Sequence, residues 1–186
     1  MAGGRELDTS RLKALALHLS RSSAKDEGFG MVKLNKLLYR ADFEAYRRLG
    51  HSLTGETYEK QEWGPVARHL PIMLDELRDD GWLAWQFIPR GPYTRKVPTP
   101  KHLEDHPGIS EVLNEDELQI VEDTLKELAR HGGKSVSVWS HEESAGWRVS
   151  EIGEAIPYES SLIASGPAPK EAVARLRERV LSGNWD

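Results

Sequence analysis

The chain has 186 residues, 25 Lys plus Arg against 30 Asp plus Glu, a net charge of −5 and no cysteine. That length suits one domain, and 38% hydrophobic with 30% charged residues places it among soluble globular chains. Without thiols, disulfides, thiolate zinc, iron–sulfur ligation and a cysteine nucleophile are excluded.

Thr9 or Ser10 can cap a first helix, in which Leu12, Leu15, Ala16 and Leu19 recur at helical spacing. The stretch SSAKDEGFG, 22–30, reads as a polar turn. A second helix runs from Met31 to Leu49 on the stripe Leu34, Leu37, Leu38, Ala41 and Ala45, with Gly50 placed for a left-handed C-cap. Residues 51–65 break that periodicity with Gly55, Gly64 and Pro65 and read as extended and irregular. Leu70, Met73, Leu74 and Leu77 set a third helix, which Gly81 stops. The aromatic stretch 82–99, centred on Pro89–Pro92, predicts a two-stranded hairpin or wing. A polar connection over 98–114 follows.

Asn114 and Glu117 form a capping box for a fourth helix, with Leu118, Val121, Leu125 and Leu128 as its buried face and Gly132 and Gly133 as its end. Ser135 opens a short fifth helix over 135–144. After a Ser/Gly/Pro break at 165–169, Val173, Leu176 and Val180 mark a last helix over about 170–181. The fold class expected is mainly α: a single compact helical domain with a small β-hairpin or wing. Its parts are an N-terminal helix and turn (1–30), a main body (31–164), and a short linker with a C-terminal helix (165–186).

No stretch approaches the roughly 20 apolar residues of a membrane span, and the N-terminus lacks a signal peptide's apolar run. A cytoplasmic protein with no membrane partner is expected. Residues 1–100 carry 16 basic and 13 acidic side chains, and residues 101–186 carry 9 and 17. Neither half holds the dense basic stripe of a phosphate-backbone binder, so there is no strong nucleic-acid signature.

Signals for catalysis are weak. His69, His131 and His141 lie far apart, with no HExxH or other ligand spacing, so neither a metal nor a cofactor is expected. No GxSxG occurs, and the GFG at 28–30 lacks the rest of a Walker pattern. On the second helix, Asn35, Tyr39, Asp42 and Tyr46 share a face beside the apolar stripe. Tyr39 and Asp42 could be a recognition or acid–base pair, but a buried, hydrogen-bonded Asp42 that organises the 51–65 loop is favoured. Trp82, Trp85, Phe87 and Tyr93 crowd beside Arg90, Arg95 and Lys96. They could be core, a single-strand platform or a protein-binding surface, and Trp with Arg tilts the choice toward a protein partner.

The ordered motifs resemble one family, the Panacea domain of SocA-like, phage-associated antitoxins. Lys33, Lys36, Leu37, Leu38, Tyr39 and Asp42 match its Lys-x-x-Lys-Leu-Leu-Tyr-x-x-Asp helix. Gly50, Thr54, Gly55, Tyr58, Gly64 and Pro65 match the Gly, Thr-Gly-x-x-Tyr and Gly-Pro that follow. Ser140, His141, Trp147, Ile156, Pro157 and Tyr158 match a later Ser-His and a Trp before Ile-Pro-Tyr.

The resemblance implies a non-enzymatic antitoxin of a toxin–antitoxin system, with a place in phage defence, whose partner is a cognate toxin protein neutralised by direct contact. An adaptor that hands the toxin to an ATP-dependent protease is the alternative. An enzyme using Asp42, Tyr39 and His141 to reverse a toxin's modification ranks below both. The toxin-binding candidates are Trp63, Trp82, Trp85, Arg90 and Tyr93. The motif residues Lys33, Lys36, Tyr39, Asp42, Gly55, Tyr58, Gly64, Pro65, His141 and Trp147 are expected to be structural.

Overall fold

A computed structural model describes residues 5–102, 108–132, 135–137 and 144–163. The first helix, α1 (Thr9–Ser22), is capped by Asp8 rather than by Thr9 or Ser10. Asp8 is extended, and its carboxylate accepts from the Arg11 amide at 3.0 Å. The predicted stripe Leu12, Leu15, Ala16 and Leu19 is fully buried. The second helix, α2 (Met31–Leu49), ends where Gly50 takes φ +79° and its N–H reaches the Tyr46 carbonyl. Nearly every residue from Lys33 to Tyr46 on α2 is buried. It packs against α1 and, further along the chain, against strands, a later helix and a terminal 3-10 turn.

The 51–65 stretch is not irregular to its end. It leads into an antiparallel hairpin, β1 (Tyr58–Gln61) with β2 (Gly64–Ala67), in the register Tyr58 opposite Ala67. The outer edge of β1 is covered by a distant segment. The Lys60 amide donates to the Glu154 carbonyl at 2.9 Å, Gly153 to Lys60 at 2.8 Å, and Ile156 to Tyr58 at 2.7 Å. Such a cover removes a free pairing edge.

Helix α3 (Leu70–Asp79) buries Leu70, Met73, Leu74 and Leu77 and is followed by Gly81 at φ +83°. The predicted wing is β3 (Leu83–Arg90) with β4 (Tyr93–Pro100). Its two-residue turn starts at Gly91, φ +61°, the geometry a type II′ hairpin asks of its first central residue. The connection expected over 98–114 begins inside β4, and its described part from 108 holds a short helix, α4 (Ile109–Val112).

In α5 (Glu115–Leu128) the capping box is present: the Asn114 side chain accepts from the Glu117 amide at 3.0 Å, and Glu117 accepts from the Asn114 amide at 2.9 Å. The buried face is Glu117, Ile120, Val121, Thr124 and Leu128, while Leu118 and Leu125 are only half-buried. The face is rotated because Glu117 turns inward to an arginine of α1. A short α6 (Ala145–Val149) and a 3-10 helix (Tyr158–Leu162) close the described chain. Of the helix expected over 135–144, residues 135–137 are described and helical. The one expected over 170–181 lies outside the described residues.

The architecture is therefore mainly α and compact, with two hairpins among the described residues where one was expected.

Candidate functional site

Helix α2 carries polar side chains into the core, and each must find a partner there or cost folding free energy. Each reaches a different neighbour. Lys33, 1% exposed, pairs with Asp26 and donates to the His131 carbonyl at 2.6 Å. The Asn35 amide oxygen accepts from the Ala67 N–H at 2.9 Å. Lys36 donates to the Pro65 carbonyl at 2.8 Å, and burial lowers its pKa from 10.5 to about 7. The Tyr39 hydroxyl and the Ser144 hydroxyl are 2.5 Å apart, and burial pushes the Tyr39 pKa up.

Asp42 is the hub of this row and is fully buried. Its carboxylate accepts from the Thr54 amide at 2.9 Å, the Thr54 hydroxyl at 2.5 Å and the Tyr58 hydroxyl at 2.7 Å. Burial raises its pKa, and those three donors pull it back. The tyrosines around it, Tyr39, Tyr58 and Tyr158, pack tilted or edge-on against Phe43 and one another, at centroid distances of 4.1 to 6.3 Å. Tyr158 donates to the Glu56 carbonyl at 2.6 Å. Asp42 thus folds the 52–58 loop onto α2, and the 3-10 helix covers it.

Gly55 has φ +72°, and a Cβ there would meet the Glu6 carbonyl oxygen at 2.3 Å. Only glycine lets the N-terminal segment pass so close. Gly64 takes φ +102° and Pro65 is buried beside it, so this pair shapes the start of β2. Trp147 is half-buried, its indole N–H donating to the Gln61 carbonyl at 3.1 Å with the Lys60 ammonium 4.5 Å from its ring. His141 lies outside the described residues.

Two buried clusters are not among the residues expected from sequence. Arg11, 5% exposed, donates through both terminal nitrogens to Glu117, and also to the Leu53 carbonyl at 3.0 Å and the Val112 carbonyl at 2.9 Å. Glu56, wholly buried, accepts from the His69 amide at 3.0 Å and lies 2.8 Å from the His69 ring. An arginine in an apolar stripe could have flagged the first; nothing local marks the second.

The five toxin-binding candidates are spread over two hairpins. Trp63 is in the β1–β2 turn, 68% exposed. Trp82, half-buried, precedes β3 and meets the His102 ring edge-on at 4.7 Å. Successive strand residues point to opposite faces, so Trp85 shares a face with Phe87 and Lys96, while Arg90, Tyr93 and Arg95 share the other. Lys96 caps the Trp85 ring at 3.6 Å, and Trp85 is packed against the core. Tyr93 is 64% exposed at the tip, and Phe87, not among the five, is 61% exposed further out on the Trp85 face.

Charge is also rearranged by folding. Glu44 sits among Arg40, Arg47 and Arg48. Its burial favours the protonated form, but the hydrogen bonds from Arg47 and Arg48 outweigh that and hold its pKa at about 2. Arg40 and Arg48 also bridge to Glu127 and Asp123 of α5 at 2.9 Å each. The acidic second half is thus partly neutralised by the basic first half. Among the described residues no group of His, Asp and Glu could hold a metal ion, and no helix is long and apolar enough to cross a membrane.

A family model described as antitoxin SocA-like, Panacea domain, matches residues 34–148, more than half of the chain. No curated protein and no solved structure matches.

Proposed function

Because the chain belongs to the SocA-like antitoxin family built on the Panacea domain, we propose that it neutralises a cognate protein toxin by direct protein–protein contact. The observation that carries this reading is the exposure of Trp63, Phe87 and Tyr93 on two hairpins otherwise anchored to the core. Aromatic side chains held on rigid elements are the anchors that dominate interface energies, and Arg90 beside Tyr93 supplies a charged one. A tight complex would bury roughly 1,200–2,000 Å² in total.

Binding is favoured over catalysis because Tyr39 and Asp42 are both buried and engaged in structural hydrogen bonds. Those side chains hold the scaffold, and the hairpins present the contact surface.

The test is growth rescue against the protein encoded beside this one, run as a dose titration with toxin abundance followed in parallel. Sequestration gives protection at one-to-one stoichiometry with toxin level unchanged. Protection accompanied by protease-dependent loss of toxin makes the protein an adaptor, and protection far below stoichiometry makes it an enzyme. Alanine at Trp63, Trp82, Trp85, Arg90 and Tyr93 that leaves folding, affinity and rescue intact removes the hairpin surface from the reading.

A further inference from the structure

The wing face that carries Ile88, Arg95 and Val97 closes only in part against the helical body. A cleft of about 420 Å³ lies between that face and the α1–α2 turn, within the range of roughly 300–1,000 Å³ typical of ligand clefts. Strand alternation puts Ile88 and Val97 on the cleft side, with Arg95 opposite Ile88 and Arg90 nearer the tip. Phe29 and Ser20 form part of the opposite wall.

Two polar atoms, one in each wall of the cleft, have no partner. Ser20 is 1% exposed, yet its hydroxyl makes no hydrogen bond. The Arg95 Nε is buried and equally unmatched. The Arg95 Nη1 donates to the Glu27 carbonyl, and Arg90 reaches the same oxygen only at 3.4 Å. Among the described residues neither guanidinium has a carboxylate within ion-pair distance. Asp26, the acid close by, is committed to Lys33 and to the Gly28 amide. Lys25 adds a further positive charge to the lining and the Glu27 side chain one negative. The cleft is therefore net positive in a chain of net charge −5.

A partly desolvated guanidinium without an anion is costly, and its fork geometry matches a carboxylate. The deeper wall, with Phe29, Ile88 and Val97, asks for an apolar group. A bare anion would satisfy the arginines and leave that wall empty. A short peptide bearing both group types satisfies both.

We propose that the cleft between the wing and the α1–α2 turn seats an acidic, partly apolar peptide segment of the toxin, its carboxylate on Arg90 and Arg95. This rests on the antitoxin reading for the source of the peptide, and it adds a second contact, on the face of the wing opposite Phe87.

The test uses the full chain, amide-resolved NMR, and three probes: a blocked five-residue peptide with two glutamates and two leucines, its glutamine counterpart, and inorganic phosphate. The acidic peptide is expected to shift the amide signals of Ser20, Glu27, Arg95 and Val97. The glutamine peptide, and separately the folded R90Q/R95Q variant, are expected to weaken binding about tenfold, the size of a lost charge-assisted contact. Equal binding of the glutamine peptide, shifts confined to other residues, or no shift at millimolar peptide overturns the proposal. So does phosphate binding as well as the acidic peptide, which makes this a small-anion site. Self-association abolished by R90Q/R95Q overturns it as well, by making a second copy the occupant.

Rescue separates this inference from the reading beneath it. If peptide binding follows the charges but the chain never protects against the neighbouring protein, the cleft stands and the antitoxin reading falls. If R90Q/R95Q protects as well as the wild type, the antitoxin reading stands and the cleft is not a toxin contact.

Discussion

Arg11 and Glu117 form a buried, two-pronged ion pair across a sequence separation of 106 residues. Arg11 lies outside the family match and Glu117 inside it, so α1 is built into the same core as the matched region. Truncating Arg11 to alanine leaves Glu117, 1% exposed, without its two-pronged partner and with only the half-exposed Arg5, 3.5 Å away, as an arginine counter-charge. The expected loss is about 3 kcal/mol, the low end for breaking a buried pair. An R11M/E117L double variant should recover most of it, short of about 1 kcal/mol for the lost capping box. Urea unfolding of the two single variants and the double reads this directly, and simple additivity would contradict it.

Asp42 and Tyr58 allow a second double-mutant cycle. Asp42→Asn replaces one acceptor oxygen with an amide NH2 that meets donors from Thr54 or Tyr58. A loss of about 2–3 kcal/mol is expected, with about 1 kcal/mol for Tyr58→Phe. The double variant should lose less than the sum, since each change removes the same hydrogen bond.

Two glycines with similar φ should respond differently to alanine. At Gly55 the added Cβ meets the Arg5 and Glu6 carbonyl oxygens at 2.5 and 2.3 Å, whereas at Gly81 it meets nothing. Gly81→Ala carries only the left-handed strain, about 1 kcal/mol, and Gly55→Ala carries that plus a backbone clash. The melting temperature should fall by a few degrees for Gly81→Ala, at about 2–4 °C per kcal/mol in a chain of this size, and by much more for Gly55→Ala.

Lys36 gives the protein an alkaline stability gain. Its pKa is lowered to about 7 in the fold, so between there and 10.5 the unfolded chain binds more protons than the folded one, and unfolding free energy rises with pH. The full burial penalty is felt below pH 7 and disappears above 10.5. The slope approaches about 1.4 kcal/mol per pH unit inside that window. It is best read from pH 7.5 to 9.5, because Tyr39, Tyr58 and Tyr158 hold their protons in the fold and reverse the sign at higher pH. Lys36→Met should flatten the rise, as measured by denaturant midpoints across that range.

What could be read from the sequence was what neighbours in sequence encode. The bounds of α2, the Gly50 cap, the wing turn at Gly91 and the Asn114–Glu117 box are all local chemistry. The first hairpin escaped because its strands are four residues long, one of them starting with Gly-Pro, and the third contact of β1 comes from 153–156. The true face of α5 escaped because the partner of Glu117 is in another helix. At the candidate surface, the aromatic and basic residues of the wing were visible, but their division between two faces depends on a register that composition does not reveal.

The segment over 153–156 that completes β1 also sets an order of events during synthesis. Domains emerging from the ribosome fold as their contacts become available, at about 5–20 residues per second. When residues 58–67 emerge, β1 can pair with β2, but its outer edge has nothing to meet until about ninety further residues are made. For several seconds the nascent hairpin offers an open strand edge, and the same chain closes it last. A ribosome stalled anywhere in between would hold the hairpin with that pairing edge still open.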